Sequence, residues 1–232
     1  MKNKIYNLVS LILVLCILIN LFSSFKIVAT EAEKKESKPL IIIDPGHGGE
    51  DGGTVAKDGT LEKDVNLKIA LYLSEIFKQN DYRIIMTRNS DTDLANKELA
   101  TVSERKKSDI IKRTEICNNK DASLVISIHQ NYFEESKYKG AQMFFGKNER
   151  SSILASSVQN EIKTKLQPWN NREIKEGNGI YLLNNVINPI IIAECGFLSN
   201  ESDLNSLKDE NYLKELSMVI YMGCAKYLAE VS

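Results

Sequence analysis

The feature that most restricts the fold is a set of short runs that are apolar on successive residues rather than on alternate ones. Leu40-Ile41-Ile42-Ile43 is one; residues 123–128 (SLVISI) and 189–193 (PIIIA) are two more. A strand with one wet face alternates. A run without alternation belongs to a strand covered on both faces, in a sheet with helices packed on each side. Helix-period segments lie between these runs. Val65, Ile69, Leu73 and Phe77 recur every four residues after Glu62, and Ile153, Leu154, Val158 and Ile162 stripe residues 149–166. Further strands are expected at 82–86, 141–145 and 179–183, a charged helix up to about 118, and a last helix over 210–230. The pattern predicts an α/β fold, a three-layer α/β/α sandwich.

Composition narrows the function. The 232 residues carry 30 Lys plus Arg against 31 Asp plus Glu, a net charge of -1. That balance lacks the basic footprint of a nucleic-acid-binding domain, so no nucleic-acid partner is expected. Apolar residues make up 43% and prolines number 4, which excludes a mostly disordered chain. Residues 1–30 hold Lys2, Lys4 and Lys26, no acid, and an apolar run over 8–22; they read as a signal peptide or membrane anchor. Residues 31–38 (EAEKKESK) read as a charged tether, and 39–232 as the folded domain. Cys117, Cys195 and Cys224 are odd in number and widely spaced, which suggests buried thiols rather than a disulfide framework.

The chemistry-bearing residues fall where such sheets place ligands, at the C-terminal ends of strands. The chain has two histidines, His47 in the glycine-rich loop after the first strand and His129 after the third. That loop lacks the lysine and Ser/Thr of a P-loop and does not fit the dinucleotide fingerprint. Two histidines and one carboxylate make a catalytic zinc set with a position left for water. Glu62, opening the first helix, is the nearest carboxylate; Asp51, Asp58 and Asp64 are rivals that spacing leaves open. Singly, each has a plain reading: a surface or packing histidine, or a helix-start acid favoured by the dipole. Glu194, at the exit of the 189–193 strand, is placed to take a proton from water and pass it to a leaving amine. Tyr132, Trp169 and Tyr181 are candidates to line an open cleft, between short connections at 131–139 and 167–177.

The order of these pieces resembles the zinc-dependent N-acetylmuramoyl-L-alanine amidases of the third amidase class. They are Asp44-Pro45-Gly46-His47-Gly48-Gly49, the helix-opening Glu62, Ser127-Ile128-His129-Gln130-Asn131, and Glu194-Cys195-Gly196-Phe197-Leu198-Ser199-Asn200. Thr87-Arg88 with Asp91, and Arg113 with Asn118, fall between them in family-like positions. The resemblance implies a six-stranded mixed sheet, zinc held by His47, Glu62 and His129, and Glu194 as the catalytic glutamate. The bond cut would join the lactyl group of muramic acid to L-alanine in peptidoglycan. Gln130 replaces the family's usual alanine and is expected to alter the cleft wall. The short layout without a wall-binding module is most similar to the germination-specific, CwlD-like amidases of endospore formers. That likeness implies export to the space around the forespore, a role in forming cortex muramic-δ-lactam, a separate polysaccharide deacetylase, and an accessory protein for targeting or activation. The alternatives are a zinc peptidase acting within the stem peptide and a wall-binding protein without catalysis.

Overall fold

Every residue of the first strand, β1 (Leu40–Pro45), is buried, because the sheet is covered on both sides. Ile41 and Ile43 face one core with Leu124, Ile126, Ile128, Ile191 and Ala193. Helices α1 (Glu62–Gln79), α3 (Glu149–Lys165), α5 (Glu201–Lys208) and α6 (Glu210–Val231) close it, with Val65, Ile69, Leu73, Phe77, Leu154, Val158, Ile162 and Leu207 inside. Ile153, expected in that stripe, is exposed. Ile42 points the other way, into a smaller core with Val125, Ile190 and Ile192, under Cys117 of α2 (Val102–Cys117) and Leu182 and Leu183 of α4 (Tyr181–Asn185). The start of α2 is fixed by a reciprocal capping box between Thr101 and Glu104.

The computed structural model describes residues 38–231 and Ile19; the expected signal segment and tether otherwise lie outside the described residues. Pro39–Ser232 forms one compact unit. Strands β2 (Arg83–Met86), β1, β3 (Ala122–Asn131) and β6 (Ile190–Phe197) are mutually parallel; β4 (Gln142–Phe145) is antiparallel to β6, and β5 (Lys175–Glu176) pairs with β4. Among the described residues these six strands form one sheet in the order β2-β1-β3-β6-β4-β5. The sheet is therefore mixed, as expected. Cys117, Cys195 and Cys224 are buried free thiols.

Two expectations are corrected. Residues 179–183 are not a strand: Tyr181 opens the short helix α4, and the edge strand is the polar pair Lys175–Glu176. The strands carrying the site also continue past their apolar runs, so His129 and Glu194 lie inside β3 and β6 and are register partners. Just beyond them, Asn131 pairs with Phe197. Two steps along β3 thus match three along β6, a bulge that resets the alternation and brings Phe197 to the side that Glu194 faces.

Candidate metal centre

The first ligand loop is held in a conformation that few residues tolerate. His47 has φ of 62°, a left-handed value that is uncommon outside glycine and often found at functional sites. Its neighbours make the conformation possible. A Cβ at Gly46 would lie 2.2 Å from His129 Nε2, and one at Gly53 would lie 2.6 Å from Glu62 Oε2. Only glycine lets the backbone pass this close to two other site residues.

Two buried guanidinium groups clamp the loop from behind. Arg88 donates to the carbonyls of Pro45 (2.9 Å) and Gly46 (2.9 Å), and Arg113 to those of Pro45 (2.8 Å) and His47 (2.6 Å). Arg113 is anchored by Asp44 at 2.8 Å and by Asp109, one turn earlier on α2, at 2.6 Å. Asp44 also accepts from Thr87 Oγ1 (2.6 Å) and Ser127 Oγ (2.7 Å). Burial works against its charge, but Arg113 and the two hydroxyls hold its carboxyl below the ordinary aspartate range.

On the front of this clamp His47, Glu62 and His129 converge, each offering one ligand atom, all within 4.8 Å of one another. Glu62 Oε1 lies 3.2 Å from His47 Nε2 and 3.0 Å from His129 Nδ1. The imidazole centroids are 5.0 Å apart, with planes at 75°. Glu62 Oε2 accepts the Thr54 amide at 2.9 Å, and Oε1 accepts the Gln130 amide at 3.2 Å. Two imidazole nitrogens gathered on one shielded carboxylate oxygen are a donor set that fits zinc.

Of the rival acids, Asp51 stands behind His47 rather than in the triad. Its Oδ2 accepts from Nδ1 at 2.7 Å, which leaves Nε2 for the metal side, and Lys106 pairs with Asp51 at 2.8 Å. This is the usual way a ligand histidine is oriented. Asp58 pairs with Lys208, and Asp64 is exposed. Gln130 does not shape the cleft wall. It is buried, and its amide nitrogen donates to Asn66 Oδ1 (3.1 Å) while Asn66 donates to the Gly46 carbonyl (3.1 Å) and approaches Glu62 Oε1 (3.4 Å). The departure from alanine thus adds a link behind Glu62.

Burial alone would depress the His47 pKa, but hydrogen bonds donated by its ring to Asp51 and Glu62 raise it to about 9. Metal ligation requires the neutral ring. Zinc uptake at pH 7 to 8 should therefore expel about one proton, and apparent affinity should rise by about tenfold per pH unit until pH reaches about 9. Calorimetry in buffers of different ionisation enthalpy measures this; zero proton release would contradict the protonated metal-free state.

Glu194 sits across the β3–β6 pair from His129. Its Oε2 is buried and has no hydrogen-bond partner among the described residues. Burial pushes its pKa up to about 7, despite the opposing imidazoles. A carboxyl that can hold or give up a proton near neutrality, beside a metal-ligand cluster, has the properties of a general acid–base. The adjacent Cys195 is fully buried and its thiol is pushed far up by burial, which excludes a thiolate nucleophile. Tyr132 and Trp169 are 41% and 45% exposed at the same end of the sheet. Tyr181 is not: β4 runs opposite to β6 and β5 follows β4, so the chain reaches α4 at the far end.

Fold and site together define a metal-dependent hydrolase. The model of the N-acetylmuramoyl-L-alanine amidase family matches residues 41–226, and the chain belongs to that family. It is a zinc-dependent enzyme that hydrolyses the amide between N-acetylmuramic acid and L-alanine. The germination-specific N-acetylmuramoyl-L-alanine amidase of Bacillus subtilis is 39% identical over 195 residues, spanning 84% of this chain and 81% of that protein. The CwlD amidase of Clostridioides difficile, solved in complex with the GerS lipoprotein, superposes with a TM-score of 0.80 at 40% identity, covering 83% of this chain and all of that one. A second amidase, from Clostridium difficile 630, gives 0.70 at 28% identity over 85% of this chain.

Proposed function

We propose that this amidase strips stem peptides from muramic acid in the spore cortex, the step that precedes muramic-δ-lactam formation. The observation that carries this reading is identity of 39–40% over 81% of the germination-specific amidase and the whole of the solved CwlD chain. His47, Glu62 and His129 are the zinc ligands. When bound there, zinc supplies Lewis acidity toward water and the lactyl carbonyl. Glu194 accepts the proton of the attacking water as the new C–O bond forms. It then returns that proton to the alanine nitrogen as the C–N bond breaks. The products are a lactyl carboxylate on the glycan and a peptide with a free alanine amino group; no covalent enzyme intermediate is involved.

Lactam closure needs the muramic amine free, so a polysaccharide deacetylase is the companion activity. A lipoprotein like the one bound to the Clostridioides difficile relative is the candidate accessory partner. Residues 1–30 direct export or anchoring, 31–38 tether the catalytic domain, and the domain works outside the cytoplasmic membrane around the forespore. The test is mass spectrometry of digested cortex-type peptidoglycan. Intact stem peptides beginning with free L-alanine, released only with divalent metal, support the reading. Cuts within the stem would favour a zinc peptidase instead.

A further inference from the structure

One charged side chain beside Glu194 has no role in holding the fold's ion pairs. Arg172 lies in the connection between α3 and β5. Its Nε and Nη2 both donate to Gln142 Oε1, and Gln142 is the β4 register partner of Glu194. Cross-strand partners project from the same face, so this fixes the guanidinium on the Glu194 side of the sheet. The guanidinium carbon also sits 4.9 Å from the ring centroid of Phe197, the residue that the β6 bulge turns to that side. Arg172 is held from two directions and is only partly exposed.

The Arg172 charge is felt by Asp203 and Glu194 but is closed into no ion pair among the described residues. Its Nη1 makes no hydrogen bond among them either. The nearby Asp203 is committed: its Oδ2 accepts the amides of Gly140 (2.8 Å) and Phe197 (2.9 Å). The other large cations around the site are spent or loose. Arg88 and Arg113 are occupied by the ligand loop, and Lys139 rides over the exposed Trp169 ring at 4.4 Å. A guanidinium fixed by packing, with one edge unpartnered, is preorganised for a planar oxyanion.

We propose that Arg172 anchors a carboxylate of the stem peptide and so makes the enzyme selective for acidic stems. The inference rests on the amidase reading. The nearest such group beyond the scissile amide is the free α-carboxylate of a γ-linked glutamate following L-alanine, which some walls carry as a carboxamide. A hydrogen-bonded charge pair in a partly shielded cleft favours the carboxylate form by about ten- to a hundredfold.

The test compares muramoyl-L-alanyl-D-isoglutamate substrates with their isoglutamine counterparts, using zinc-loaded full-length enzyme. Wild type should prefer the carboxylate by at least about tenfold in kcat/KM. In Arg172→Gln the ratio should collapse toward one, through a higher KM for the carboxylate substrate, with zinc content unchanged. Arg172→Lys keeps the charge without the fork and should retain a reduced preference. A wild-type ratio near one overturns the proposal, as does a preference that survives in Arg172→Gln while kcat falls on both substrates. Both results leave the amidase reading standing, because alanine-terminated peptide is still released. Absence of cleavage of either substrate by wild type would instead remove the amidase reading itself.

Discussion

Glu194→Gln loses hydrolysis but keeps its metal: kcat falls by about 10²–10⁴-fold, and the variant still binds zinc. Glutamine preserves the shape and cannot accept the water proton or return it to the alanine nitrogen. The substitution is benign for the fold because Oε2 already lacks a hydrogen-bond partner among the described residues, so an amide there breaks no existing bond. The metal triad is built from other elements, Glu62 on α1 and His47 in the loop after β1, and Glu194 donates nothing to it. The measurement pairs amide release, followed by the appearance of free alanine amino termini, with zinc content by atomic absorption. Activity within tenfold of wild type would remove Glu194 from the chemistry. Loss of zinc along with activity would make it a ligand instead.

The parts of the molecule legible in the sequence were those where one physical demand acts alone. Ile41, Ile42 and Ile43 need covering on both faces, and with helix-period segments lying between such runs the layered α/β fold follows. The Glu62, Val65, Ile69, Leu73 and Phe77 spacing gave α1 directly. The strands could not be followed to their ends, because the apolar run stops where the sheet becomes functional. From His129 and Glu194 onward β3 and β6 still pair, but their side chains are chosen for chemistry. Tyr181-Leu182-Leu183 looked like a strand because local preference cannot tell a short buried helix from one. Lys175–Glu176 was invisible because an exposed, two-residue edge strand carries no apolar signal. Gln130 was misplaced although strand parity could have placed it: with His129 facing the site, its neighbour must face away. Arg113 was the hardest residue to interpret. A cation on a charged helix ordinarily faces water, and its partner Asp44 is 69 residues away.

That buried pair gives the largest expected change in stability. Asp44 and Arg113 are 1% and 2% exposed. Arg113→Met leaves a carboxylate buried without its cation, and breaking such a pair from one side costs about 3–5 kcal/mol. Against a typical total of about 5–15 kcal/mol, this brings the domain near unfolding at ambient temperature. Asp44→Asn in the Arg113→Met background removes the stranded charge and should recover part of the loss. Recovery stays partial because the His47 carbonyl has still lost its Arg113 donor, and the Pro45 carbonyl keeps only the one from Arg88. The same argument fixes the pH dependence. Asp44 has a folded pKa below its unfolded value, so its contribution is complete above the ordinary carboxylate range and disappears as pH falls through the folded value. In the double variant this acid-side slope should be reduced. Urea midpoints of the two single variants and the double variant, taken at pH 7 and pH 4, test the cycle. If the double variant is destabilised by the sum of the single changes, the two residues are not coupled. Zinc affinity supplies a second readout. With its rear clamp gone, His47 no longer has its left-handed backbone enforced, and binding should weaken by about 10–100-fold under conditions where the variant remains folded. The histidine ligand then depends on a charge buried on the opposite side of its own loop, which makes metal loading and acid stability of this fold properties of one network.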